Sequence, residues 1–159
     1  MVVKILIFNL FFILISLSTV SSGKTIFGKA KVIDGDTIHI NNDKIRLHAI
    51  DAPETNQTCY KNSKVWNCGL ESTKFLKELI GNNKIECITQ GKDRYNRFIG
   101  ICYKDNLDLN SAMVLNGWAI AYRYYSKDYI EEEEEAKRDK KGIWIGDFEE
   151  PYLFRKKNK

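Results

Sequence analysis

Between Thr25 and Ile50 the chain is cut into three short β-prone runs by turn-forming residues, and this punctuation constrains the fold more than any other feature. The runs are Gly28 to Ile33, Thr37 to Ile40 and Lys44 to Ile50, separated by Asp34-Gly35-Asp36 and Asn41-Asn42-Asp43. Asn, Asp and Gly accept the tight reversals that join antiparallel strands, so the spacing predicts a meander. In the third run Ile45, Leu47 and Ala49 alternate with Lys44, Arg46 and His48. That alternation aims Arg46 away from the apolar side.

The period then changes. Leu70, Thr73, Leu76 and Ile80, with Leu79 beside them, fall on one helical stripe that Gly81-Asn82-Asn83 ends. Two more strands, Lys84 to Gln90 and Phe98 to Tyr103, flank the basic, aromatic loop Gly91 to Arg97 and read as a hairpin. Beyond it the pattern predicts a short helix from Leu109 to Asn116 stopped by Gly117, an aromatic strand or turn from Trp118 to Tyr125, and a helix from Lys127 to Lys141. The acidic run Glu131 to Glu135 reads as a solvated helix face, Glu133 answered by Lys137 and Glu134 by Arg138 at i,i+4. The whole is α+β, mainly β: a five-stranded OB-fold β-barrel with three packed α-helices, a class that commonly binds nucleic acids.

Residues 1–23 have the layout of a secretory signal peptide: Lys4, an apolar stretch from Ile5 to Leu17, then Ser18 to Gly23, small and polar. The apolar stretch is shorter than the roughly 20 residues that a membrane anchor requires. Cleavage near Ser22 or Gly23 leaves one domain, 24–150, and a basic C-terminal tail, 151–159, of which Arg155 to Lys159 read as frayed. The net charge is +4, of which Lys4 contributes one, so the mature chain is mildly basic. Such a balance permits a polyanionic partner without requiring one.

Four cysteines in an exported chain, secreted or periplasmic, point to two disulfides. Cys87 and Cys102 are roughly equidistant from the hairpin loop and can face each other across it, while Cys59 and Cys68 close a short polar loop before the first helix. Zinc is disfavoured, because no CxxC spacing exists and His39 and His48 read as surface strand residues.

The residues able to carry chemistry are acidic and basic together: Asp34, Asp36, Arg46, Asp51, Glu54 and Arg97. No nucleophilic triad or phosphate-cradling glycine loop competes with them. Hard cations such as Ca²⁺ take carboxylates mixed with backbone carbonyls and water, which Asp36, Asp51 and the carbonyl of Ala52 supply. Glu54, beyond Pro53, is then free to orient or deprotonate water, and Arg46 and Arg97 suit bidentate contact with phosphate. Taken singly these signals are ordinary, since Asp-Gly is a common turn dipeptide and Ala-Pro-Glu a helix or loop start.

Taken in order, the strings Val32-Ile-Asp-Gly-Asp-Thr-Ile38, Ile45-Arg-Leu-His-Ala-Ile-Asp-Ala-Pro-Glu54 and Asp93-Arg-Tyr-Asn-Arg97 closely resemble the staphylococcal nuclease (thermonuclease) family. Trp118-Ala-Ile-Ala-Tyr122 and Gly142-Ile-Trp144 extend the resemblance over almost the whole mature chain. It implies an OB-type barrel with three helices and Ca²⁺-dependent hydrolysis of DNA and RNA, single-stranded or locally open, leaving 3′-phosphates. By the same resemblance Asp36, Asp51 and Ala52 hold the metal and Glu54 is the general base. Arg46 and Arg97 clamp phosphate, Thr37 and Asp34 support the metal site, and Arg94, Tyr95 and Tyr122 touch substrate. The chain departs from the best-known member at Ala52, where that member has Thr, at Arg94, where it has Lys, and at Asn96, where it has Gly. Tyr122 fits packing between barrel and helix equally well. The family reading implies a monomer without a stable protein partner; the competing reading is an OB-fold nucleic-acid-binding module with weak catalysis, which would have no need of the complete charged set.

Overall fold

The computed structural model describes residues 23–124 and 126–158. The signal peptide expected over 1–23 therefore lies, apart from Gly23, outside the described residues. Strands β1 (Thr25–Val32), β2 (Thr37–Ile40) and β3 (Asp43–Leu47) form the expected antiparallel meander. Strand β3 stops three residues short of the predicted run. His48 N–H donates to the Gly100 carbonyl at 2.8 Å and Ala49 takes a left-handed conformation (φ 58°). The chain thereby leaves the barrel, and Ile50–Asp51 becomes a separate strand, β4.

A disulfide-closed hairpin, β5 (Cys59–Lys61) and β6 (Lys64–Trp66), replaces the polar loop expected before the first helix. Helix α1 (Cys68–Ile80) then leads to β7 (Lys84–Lys92), β8 (Phe98–Lys104) and the short β9 (Leu107–Asp108). Strand β7 pairs antiparallel with β1 and with β8, and β8 pairs parallel with β3, which closes a five-stranded barrel. Cys87 lies opposite Cys102 in the β7 and β8 register, and the two are bridged with Cα atoms 4.0 Å apart. Each bridge restrains the unfolded chain by about 2–4 kcal/mol.

Helix α2 (Leu109–Leu115) is capped by Asp108, whose side chain accepts from Ser111 N–H. It is followed by β10 (Ile120–Ala121), α3 (Ile130–Arg138), a 3₁₀ turn (Gly142–Ile145) and α4 (Pro151–Lys157). Among the described residues four helices thus pack on the barrel instead of three, and the fourth takes in most of the segment from Arg155 expected to be frayed. No helix among the described residues is long and apolar enough to cross a membrane.

The main core fills the barrel with Ile38, Ile40, Ile45, Leu47 and Ile85, capped by Leu76 and Ile80 of α1 and Met113 of α2. Leu70 is exposed, because α1 is rotated so that Ser72, Thr73 and Leu76 face inward. A second cluster joins Cys59, Cys68, Ile120 and Ile143 with Trp66, Trp118 and Trp144.

The acidic face of α3 is not uniformly solvated. Glu133 is 1% exposed; it accepts from Ala121 N–H at 3.0 Å and pairs with Lys137 at 2.7 Å and Arg123 at 2.6 Å. Burial pushes its carboxyl pKa up, but the hydrogen bonds from Arg123 and Lys137 outweigh this and hold it below the usual range. Glu134 pairs with Lys137 rather than Arg138, which instead meets Asp139. One glutamate of the run therefore pins α3 to β10, the strand that pairs with β4.

Candidate active site

The first piece of the site is the turn between β1 and β2. Asp34 accepts from Asp36 N–H at 2.9 Å, and the Thr37 carbonyl accepts from Ile33 N–H at 2.9 Å. Gly35 lies against α1, where a Cβ would come within 2.2 Å of Ser72 Oγ and 2.7 Å of Ala52 Cβ. Only glycine lets this turn press against both. The Asp36 side chain consequently points inward, 3% exposed, where Oδ2 accepts from Ala52 N–H at 2.9 Å and Oδ1 accepts from Thr37 Oγ1 at 3.0 Å.

The second piece is the strand that left the barrel. Ile120 of β10 pairs with Asp51 of β4, which carries Asp51, fully buried, to the side of Asp36. Arg46, on the polar face of β3 as its alternation predicts, joins the two acids. Its Nη1 donates to Asp36, and its Nη2 donates to Asp51 at 2.7 Å and to the Ile50 carbonyl at 3.2 Å. Of the five N–H groups of a guanidinium, two stay available for an incoming anion.

Glu54 follows on a tight turn. Gln57 N–H donates to its carbonyl at 2.7 Å, and α1 approaches so closely that a Cβ on Gly69 would lie 1.7 Å from that same oxygen. The Glu54 carboxylate is one-third exposed and faces Arg155, Nη1 to Oε1 3.0 Å. Arg155 also takes both oxygens of Asp51, at 2.9 and 3.0 Å.

The third piece is the hairpin loop. Asp93 Oδ1 accepts from the backbone of Tyr95 at 2.9 Å and of Arg97 at 3.0 Å, while Oδ2 accepts from Arg97 Nε at 2.8 Å. Asn96 sits in the left-handed region, φ 61°, a conformation that asparagine accepts more readily than most residues and glycine accepts freely. Arg97 is thereby turned toward the barrel, and its Nη1 reaches Thr37 Oγ1 at 3.4 Å. Burial pushes the Asp93 pKa up, but the hydrogen bonds and charge of Arg97 bring it below the usual carboxylate range.

One unbroken chain of contacts therefore runs Asp93, Arg97, Thr37, Asp36, Arg46, Asp51, Arg155, Glu54. Arg94 and Tyr95 stand at the loop tip, the Tyr95 ring, 57% exposed, lying 4.9 Å from the Arg94 guanidinium and 5.5 Å from that of Arg97. Tyr122 is half-buried at the end of β10, its N–H donating to the Ala49 carbonyl at 2.8 Å and its ring 6.2 Å from that of Tyr124. His48 is paired with Asp128 at 3.1 Å.

The sequence reading missed three residues. Asp93 belongs to a quoted motif but had no role; here it aims Arg97. Gln57, fully buried, ties the Glu54 turn to the Glu149 carbonyl at 2.7 Å. Arg155, in a tail of otherwise indistinct basic residues, enters the acidic cluster, and no spacing rule in the sequence marks it.

Among the described residues no three His, Cys, Asp or Glu side chains converge as a metal cage. The donor set nevertheless fits a hard cation completed by water. Every candidate ligand atom is oxygen, and Ala52 is held beside Asp36 by its N–H, which donates to Asp36 Oδ2 at 2.9 Å. Three carboxylates, Asp36, Asp51 and Glu54, face two guanidiniums, Arg46 and Arg155. Burial raises the pKa of Asp36, but Arg46 overcomes that and lowers it; burial, and Asp36 alongside, raise that of Asp51 against the pull of Arg155 and Arg46. Asp34, half-buried and beside Asp36, is pushed up to about 7 by desolvation and by the Asp36 charge. Asp36 thus stands against both Asp34 and Asp51, and a cation would relieve that crowding of carboxylates.

Comparison with known proteins places this geometry among relatives. A family described as "Staphylococcal nuclease homologue" matches residues 44–146. The chain is 35% identical to the succinoglycan biosynthesis protein ExoI of Rhizobium meliloti over 77% of its own length and 66% of that protein's, just under two thirds. It is 34% identical to an uncharacterized endonuclease of Haemophilus influenzae (89% of this chain, 78% of the relative). It is 30% identical to a micrococcal nuclease of Shigella flexneri (81% and 79%).

Proposed function

Since the chain belongs to the staphylococcal nuclease family, whose relatives include proteins named as endonucleases and as a micrococcal nuclease, we propose that it is a Ca²⁺-dependent endonuclease that hydrolyses phosphodiesters of DNA and RNA and leaves 3′-phosphates. The observation that carries this reading is the unbroken network joining Arg97, Asp36, Arg46, Asp51 and Glu54. A module that only bound nucleic acid would need the basic groups but not two buried carboxylates held against each other.

In this reading Asp36, Asp51 and the Ala52 carbonyl hold the cation, which when bound supplies Lewis acidity and a site for water. Arg46 and Arg97 are fixed in advance by Asp36, Asp51 and Asp93, so they meet the phosphate without reorganising, and their charge is aimed where negative charge grows. Glu54 takes the proton of the attacking water at its carboxylate. Arg94, Tyr95 and Tyr122, at the edge of this cluster, grip the flanking nucleotide by charge and stacking. Two disulfides support a mature chain that works outside the reducing cytosol, exported by residues 1–23 and acting as a monomer.

The product ends test the chemistry. Oxidised protein incubated with single-stranded DNA or with RNA and Ca²⁺ is expected to yield fragments whose 5′-hydroxyls accept phosphate from polynucleotide kinase without prior phosphatase treatment. Fragments that need phosphatase first carry 5′-phosphates and would contradict the proposed bond cleavage.

A further inference from the structure

Arg155 is the one residue of α4 that reaches the acidic cluster. Its guanidinium forms a two-pronged pair with Asp51, which is completely buried, and a third contact with Glu54. These are the lone pairs that a bound cation and an activated water would each require. A guanidinium and a metal ion cannot share the same carboxylate oxygens at full strength, and the Glu54 oxygen that Arg155 holds is not open to a water.

The helix that delivers Arg155 is lightly attached. Of its seven residues only Pro151 is buried, while Tyr152 and Leu153 are 48% and 43% exposed. An open groove of about 280 Å³ is lined by Phe154, Arg155 and Asn158 on one side and by Glu54 and Asn56 on the other, bridged only where Arg155 meets Glu54. The start of α4 is anchored through Gln57 and the Glu149 carbonyl, so the helix can swing without leaving the domain. Few buried apolar contacts mean a low cost of local opening.

We propose that α4 is an intrasteric latch: Arg155 occupies Asp51 and Glu54 in the cation-free protein, and a divalent cation must displace it to assemble the site. This rests on the assignment of Asp51 to metal and Glu54 to water given above. The latch makes apparent cation affinity the intrinsic affinity multiplied by the fraction of molecules with α4 released. Its consequence is an enzyme kept inert where divalent cation is scarce.

The test is Ca²⁺ binding without substrate, by calorimetry on oxidised wild type and Arg155→Gln, beside hydrogen exchange of residues 151–157 in the wild type with and without Ca²⁺. Removing a competitor that holds the site nine-tenths closed raises apparent affinity about tenfold, so the variant is expected to bind Ca²⁺ about tenfold more tightly. Ca²⁺ is expected to speed exchange of the α4 amides in the unmutated chain, a readout independent of how the variant folds. Equal affinity in the two proteins, with α4 exchange unmoved by Ca²⁺, would overturn the latch while leaving the metal site standing. Absence of Ca²⁺ binding in both would overturn the site assignment and the latch with it. A fall in cleavage by Arg155→Gln at saturating Ca²⁺ would make Arg155 a phosphate contact and likewise overturn the latch.

Discussion

Glu54→Gln is expected to lower kcat for cleavage of single-stranded DNA by about 10²- to 10⁴-fold, the span of a lost general base, with KM little changed. The substitution conserves shape and removes only the charge. The turn that presents residue 54 does not depend on its carboxylate: it is set by Gln57 N–H on the residue 54 carbonyl and by the close approach of Gly69. Arg155 loses one partner but keeps both oxygens of Asp51. A collapse of rate without a collapse of fold therefore assigns the lost charge to the chemical step. Steady-state kinetics beside a urea melt make that separation, and a kcat within a few-fold of wild type would remove Glu54 from the reaction.

Arg46→Ala is expected to cost about 3–4 kcal/mol of transition-state stabilisation, read as a fall in kcat/KM of roughly 10²- to 10³-fold. Unlike the change at Glu54, this one also disturbs the resting site. Arg46 is the bridge between Asp36 and Asp51, and its removal leaves two buried acids facing each other with Arg155 as the nearest cation. Breaking a buried pair by removing one partner is destabilising because the remaining charge is uncompensated. The variant is therefore expected to melt earlier than wild type without cation and to recover part of the difference when Ca²⁺ is added. An unchanged kcat/KM would refute the clamp.

Much of this site was legible in the sequence because local chemistry decides it. Asp34-Gly35-Asp36 is a turn whatever surrounds it, the alternation in β3 alone puts Arg46 on the polar face, and two cysteines equidistant from a hairpin loop can meet across it. What was not legible depends on tertiary partners. The predicted third strand runs on through Ile50, yet it breaks at Ala49 because β10 competes for its end, and that break carries Asp51 to Asp36. Leu70 fits a helical stripe as well as Leu76 does, and tertiary contacts, among them Ser72 donating to the Trp118 carbonyl and Gly69 lying against Glu54, set which way α1 is turned. Glu133 is one glutamate among five in sequence and one buried ion pair in the fold. Arg155 shows the limit most clearly, since nothing distinguishes it from the lysines that follow until α4 lays it across Asp51 and Glu54.

The most direct measurement of the central claim is the cleavage rate of single-stranded DNA by the oxidised protein as Ca²⁺ is withdrawn with a chelator and then returned in excess. Asp36 and Asp51 as cation ligands predict that cleavage stops under chelator and returns with Ca²⁺. Cleavage that continues undiminished under chelator would contradict a metal-dependent site.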